Sequence, residues 1–113
     1  MKVLDQFSFH HTLEETRGTT LVIFTTPDCG SCRLMRKAMV AYGQTHPDVA
    51  MFEVDAQQDM ALTREFEVFH LPALYLYIDG RYHGEIQCET LPDKLATAVA
   101  EACARPSGEA PGG

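Results

Sequence analysis

The stretch TLVIFTTPDCGSCRLM, Thr20 to Met35, sets two unlike patterns end to end. Thr20 to Phe24 is a continuous apolar, β-branched run, the pattern of a strand buried on both faces and therefore placed inside a sheet. Pro27 to Ser31 reads as a turn. Beyond it, apolar residues recur at Cys32, Met35, Met39 and Tyr42, with Leu34 and Ala38 widening the stripe. That spacing predicts an amphipathic helix of about three turns, ended by Gly43. The junction holds Cys29 and Cys32, two of the four cysteines. Cys-x-x-Cys serves thiol redox chemistry, half of a metal site, or packing at a helix start, and the spacing alone leaves all three open.

Upstream, Val3-Leu4 suits a short edge strand, and Ser8 is placed to cap a helix over Phe9 to Arg17 that Gly18 stops. Downstream, VAMFEV (Val49 to Val54) reads as a strand, and Asp59 as the N-cap of a helix carrying Leu62 and Phe66 on one face. PALYLYI (Pro72 to Ile78) predicts a strand, Asp79-Gly80 a tight hairpin turn, and Arg81 to Cys88 its antiparallel partner. Simple alternation places Tyr82, Gly84, Ile86 and Cys88 on one face of that partner. Leu91, Leu95, Val99 and Cys103 mark a closing amphipathic helix, with Cys103 assigned to packing. RPSGEAPGG, residues 105–113, carries too little apolar surface to pack and is expected to be a disordered tail behind a single domain over 1–104. Strands alternating with helices require crossovers and parallel pairing, while the hairpin requires an antiparallel pair. The expected architecture is α/β, a mixed central sheet of four to five strands flanked by about four helices.

At 113 residues, 45% hydrophobic and 22% charged, the chain reads as one globular domain. A net charge of −7 argues against a nucleic-acid surface. Arg33, Arg36 and Lys37 come nearest to a basic cluster and read as a solvated helix face. Met1 to Asp5 show no apolar signal region, and no apolar run is long enough to span a bilayer. A cytoplasmic monomer without membrane contact is the expectation. In a reducing compartment the four cysteines are expected to be free, catalytic or metal-bound rather than a structural framework.

Cys29-Gly30-Ser31-Cys32 opening a helix after a buried strand, VDAQQDMALTREFEV as strand end, loop and helix, and HLPALYLYIDG as proline, strand and turn together resemble the thioredoxin family. On motifs the resemblance runs from about residue 20 to residue 88, and on element order over nearly the whole chain. It implies the thioredoxin fold and thiol–disulfide exchange without a cofactor or metal. Cys29 is implied as the nucleophile, and a helix N-terminus independently favours its thiolate. Cys32, on the core-facing stripe, is implied as the resolving thiol. Gly30 and Ser31 form the turn between them, and Leu71-Pro72 resembles the family's cis-proline loop, which offers backbone groups to a bound peptide. The implied partners are disulfide- or dithiol-bearing proteins and a reductase that resets the pair.

The chain also departs from the family. Ile23 stands where a buried acid is common, and Met51 where its lysine companion is common; losing both together is coherent, because either charge alone would be costly to bury. Asp28 replaces the usual tryptophan before the first cysteine, and its carboxylate opposes a thiolate at Cys29. Ser31 replaces the usual proline and offers a hydroxyl to sulfur. These changes leave the redox direction open and point to a specialised oxidoreductase. His70 is placed on the rim of the pair, and Cys88 matches a family position near it; an exposed loop histidine and a packed cysteine are the plainer expectations. The alternative function is a thioredoxin-like adaptor or chaperone-like module that holds a partner around Cys29, His70 and Pro72 without turnover. A metal site ranks behind both, since no second ligand pair has matching spacing.

Overall fold

The computed structural model describes residues 1–111. Nine elements follow in order: β1 (Lys2–Val3), α1 (Phe9–Glu15), β2 (Thr19–Thr25), α2 (Gly30–Thr45), β3 (Ala50–Asp55), α3 (Met60–Glu65), β4 (Ala73–Ile78), β5 (Arg81–Ile86) and α4 (Pro92–Ala104). They build one five-stranded sheet in the order β1-β3-β2-β4-β5. β3 runs parallel to β1 and β2, whereas β4 is antiparallel to β2 and β5. The apolar run at Leu21 to Phe24 is fully buried on the central strand, as its pattern requires. Two hydrophobic cores lie on the two faces. One joins Phe9, Phe24, Phe66, Tyr75 and Tyr77; the other joins Leu21, Ile23, Met35, Met39, Leu74, Leu76, Leu95 and Val99.

The hairpin follows its turn chemistry. Asp79 and Gly80 both have positive φ, 51° and 81°, the conformation a two-residue turn needs to match strand twist. A side chain at Gly80 would also meet the Glu14 carbonyl oxygen at 2.6 Å, so close packing excludes one there. Asp79 returns to the end of α1, where its Oδ1 accepts from the Gly18 N–H at 2.8 Å.

Several expectations need correction. Ser8 makes no side-chain cap; instead Asp5 Oδ1 accepts from the backbone of Phe7 and Ser8 and from the Ser8 hydroxyl. Those bonds, the Ser8 hydroxyl's first, hold the Asp5 carboxyl below its ordinary value. Helix α2 does not stop at Gly43 but continues to Thr45, and Leu34 lies outside its buried stripe, 54% exposed. On α4 the buried residues are Leu95, Val99 and Ala102, while Leu91 and Cys103 are exposed. A strict four-residue step advances about 40° beyond a full turn each time, so such a series drifts off the core face. In β5 a register shift gives Tyr77 to Tyr82 and Leu76 to Gly84, inserting His83 as an extra residue. Tyr82 therefore packs on the aromatic core and Ile86 on the opposite one, and the single-face alternation fails.

The same bulged residue closes α4. With carbonyls of Ala102 at 2.8 Å and Arg105 at 2.9 Å around it, His83 Nε2 must carry the hydrogen and donate. Within the segment expected to be a disordered tail, the Gly108 N–H donates to the His83 carbonyl at 2.8 Å. Residues 112 and 113, also part of that expectation, lie outside the described residues.

Candidate redox site

The strand-to-helix junction is a turn in which the Cys29 N–H donates to the Thr26 carbonyl at 3.3 Å. Pro27 supplies a preset φ there, and Asp28 sits exposed at the tip beside Cys29. Cys29 is the N-cap of α2 in extended conformation, and its Sγ accepts from the Cys32 N–H at 3.1 Å. An N-cap normally offers an oxygen to these unpaired N–H groups; here the acceptor is sulfur. The two cysteines are joined as a disulfide with their Cα atoms 5.2 Å apart. Their environments differ sharply: Cys29 is half-buried at the surface, and Cys32 is fully buried on the apolar stripe.

Ser31 links the pair to the loop before β4. Its Oγ lies 3.4 Å from Cys29 Sγ and 3.4 Å from the Leu71 carbonyl, to which it donates. The hydroxyl has one hydrogen and two acceptors competing for it, so a charged sulfur would draw that hydrogen away from Leu71. The Leu71–Pro72 bond is cis. Gly30 and Ser31 are both exposed in the first turn of α2. His70 is exposed on the rim of a groove of about 690 Å³, which Pro72, Met35, Tyr82 and Cys88 also line. Cys88 is partly buried there; burial first, then the Glu89 charge, pushes its thiol above the ordinary value. That makes it a poorer nucleophile than an open thiol.

One cluster next to the pair was missed by sequence reasoning. Glu53 on β3 accepts from Arg36 Nη1 at 2.7 Å and from the Thr25 hydroxyl at 2.6 Å. It ties the second turn of α2 to the end of β2 close to where the chain leaves the sheet. An acid inside the otherwise apolar VAMFEV was the available signal. Beneath the helix, Ile23 is fully buried and Met51 packs partly buried against the same core, so the floor of the site is apolar. Among the described residues no group of three or more His, Cys, Asp or Glu side chains comes together as a metal site.

The family model for thioredoxin matches residues 1–101. Thioredoxin domain-containing protein 2 of Rattus norvegicus is 32% identical over 100 residues, which cover 88% of this chain and 18% of that protein. The chain thus spans under a fifth of that relative's length. Thioredoxin X, chloroplastic, of Arabidopsis thaliana is 32% identical over 82 residues, 72% of this chain and 45% of the relative. Among solved structures, thioredoxin f2 of Chlamydomonas reinhardtii superposes with a TM-score of 0.78 at 23% identity, covering 89% of this chain and 94% of the other. Mitochondrial thioredoxin 3 of Saccharomyces cerevisiae, in its oxidised form, gives 0.77 at 23% identity, with the same coverage. The shared fold, the matching family model and the bonded cysteine pair at a helix start agree on thiol–disulfide redox chemistry. The chain belongs to the thioredoxin family.

Proposed function

We propose that the chain exchanges disulfides with partner polypeptides, with Cys29 attacking and Cys32 resolving. The supporting observation is the asymmetry of the pair: Cys29 Sγ is at the surface and receives a backbone N–H, while Cys32 is fully buried. In the dithiol form, the Cys29 thiolate attacks one sulfur of a partner disulfide. An S–S bond forms to Cys29, the partner's own S–S bond breaks, and its other sulfur leaves as thiolate. Cys32 then gives up its proton and attacks Cys29 Sγ, forming Cys29–Cys32 and expelling the partner's second thiolate. Two electrons and two protons pass to the partner in all. An external dithiol, supplied in the cell by a reductase, returns them to the pair. Run in reverse, the bonded pair oxidises a partner dithiol.

Asp28, Gly30, Ser31, His70, Leu71 and Pro72 form the surface a partner meets in this proposal, with no cofactor or metal taking part. The two unpaired cysteines, Cys88 and Cys103, fit a reducing compartment such as the cytoplasm, with the protein working as a monomer. The test is a pair of variants. Cys32→Ser should accumulate partners covalently held on Cys29, released by dithiothreitol, and Cys29→Ser should lose at least 100-fold in reduction of a peptide disulfide. Partner capture that survives Cys29→Ser would favour the adaptor function instead, in which the apolar floor at Ile23 and Met51 serves packing rather than turnover.

A further inference from the structure

Ser31 stands between the surface sulfur and a backbone carbonyl with no other donor. Its Oγ is 3.4 Å from Cys29 Sγ and 3.4 Å from the Leu71 carbonyl oxygen. That carbonyl lies outside β4, receives no backbone N–H among the described residues, and is followed by Pro72, which has no N–H of its own. Leu71 is partly exposed, so an incoming chain can take the place of the Ser31 hydroxyl there. Cys29 Sγ already accepts the Cys32 N–H at 3.1 Å. The single hydroxyl hydrogen cannot serve both of its acceptors at full strength. A disulfide sulfur is a weak acceptor, so in the bonded form the hydrogen belongs to Leu71; a thiolate accepts through its charge, and there the hydrogen belongs to sulfur.

We propose that Ser31 is a positioning residue that couples the seating of a polypeptide at Leu71 to thiolate formation at Cys29. A backbone N–H of the incoming chain donates to the Leu71 carbonyl in place of Ser31, and the released hydroxyl turns to Cys29 Sγ. The Cys29 thiol proton goes to water, the Ser31 hydrogen stays on its own oxygen, and no other covalent bond changes. The thiolate then has two donors, the Cys32 N–H and the Ser31 hydroxyl. This rests on the exchange function above and adds that a substrate's main chain, whatever its side chains, readies the nucleophile it meets. When the cysteine pair re-forms, the hydrogen returns to Leu71 and competes with the bound chain, which favours release. The coupling is reciprocal: the thiolate form binds the chain more tightly by the factor by which the chain favours thiolate. The charged and titratable groups around the site are Asp28 before Cys29, Cys32 beside it, Arg33 and the Arg36–Glu53 pair along α2, and His70 and Cys88 lining the groove; substitution at Ser31 changes none of them.

The test titrates Cys29 in Cys32→Ser protein by thiolate ultraviolet absorbance, with the Cys29→Ser/Cys32→Ser protein as the blank for Cys88 and Cys103. The probe is a short cysteine-free alanine-serine peptide, added up to its solubility limit, with a set of analogues that each replace one amide by an ester and so remove one N–H. The all-amide peptide should lower the Cys29 midpoint by about half a pH unit, roughly a threefold change, the scale of one exposed hydrogen bond. At least one ester analogue should lose that shift. Adding Ser31→Ala should raise the midpoint without peptide by about the same amount and abolish the peptide's effect, and Ser31→Thr should restore both. No shift with the all-amide peptide, equal shifts across the whole ester set, or a full shift in the Ser31→Ala protein overturns the proposal. Reduction of a peptide disulfide by the wild-type dithiol form is measured alongside; its absence overturns the exchange function, and the proposal with it.

Discussion

On one face of the sheet Phe9, Phe24, Phe66, Tyr75 and Tyr77 meet mostly edge to face, with centroids 4.9–6.3 Å apart; on the other, α2 and α4 rest on leucine, isoleucine and methionine. Aromatic rings prefer a few relative orientations, so each ring there restrains its neighbours. Met35 and Met39, directly under the thiol-bearing helix, are unbranched and adapt to small shifts. The aromatic face is also fixed in charge. Burial, with smaller contributions from nearby charged groups, pushes the Tyr75 hydroxyl up to about 12 and raises Tyr77 further, so both stay neutral at working pH. The helix that carries the cysteine pair therefore rests on the face whose side chains adapt more readily.

The largest expected effect tests that division. Phe9→Ala removes a fully buried ring that touches Phe24, Phe66 and Tyr77, and should cost about 3–5 kcal/mol in urea unfolding. Its exchange rate per folded molecule should stay within about twofold; a loss comparable to that of Cys29→Ser would break the comparison. Next comes Glu53→Ala, which strands the Arg36 guanidinium and the Thr25 hydroxyl under α2. With Arg36 partly open to solvent, about 1–2 kcal/mol is expected. Here the lifetime of a mixed disulfide on Cys29 should change as well, measured by quench and mass spectrometry, because the tether holds the helix that carries Cys32. The smallest change has the opposite sign. Thr20 faces the aromatic side with its hydroxyl buried and unpaired among the described residues, so Thr20→Val should stabilise by roughly 0.5–1 kcal/mol, read as a higher urea midpoint.

The fold was legible because its strongest signals are local. An uninterrupted apolar run, a positive-φ turn pair and a cysteine pair at a helix start each dictate one conformation wherever they occur. Cys29 and Cys32 could be singled out for the same reason. What escaped depends on partners distant in sequence. Glu53 looked like a strand residue until Arg36 came to meet it. The β5 bulge changed the face of Tyr82, and Gly84 beside it was the one local hint. Cys103 and Leu34 were misplaced by small angles that accumulate around a helix, to which a residue count is insensitive.

The N-cap of α2 is a sulfur, and in the proposed exchange it changes charge. Helix stability and redox equilibrium are therefore linked: a thiolate at Cys29 caps the helix more strongly than the bonded sulfur does. Whatever difference exists between the two caps is stored in the dithiol form and makes the disulfide a stronger oxidant. A difference of about 1 kcal/mol, the scale of an ordinary cap, corresponds to roughly 20 mV for a two-electron couple. Substitutions in the first turn of α2 thus tune the potential without touching either cysteine.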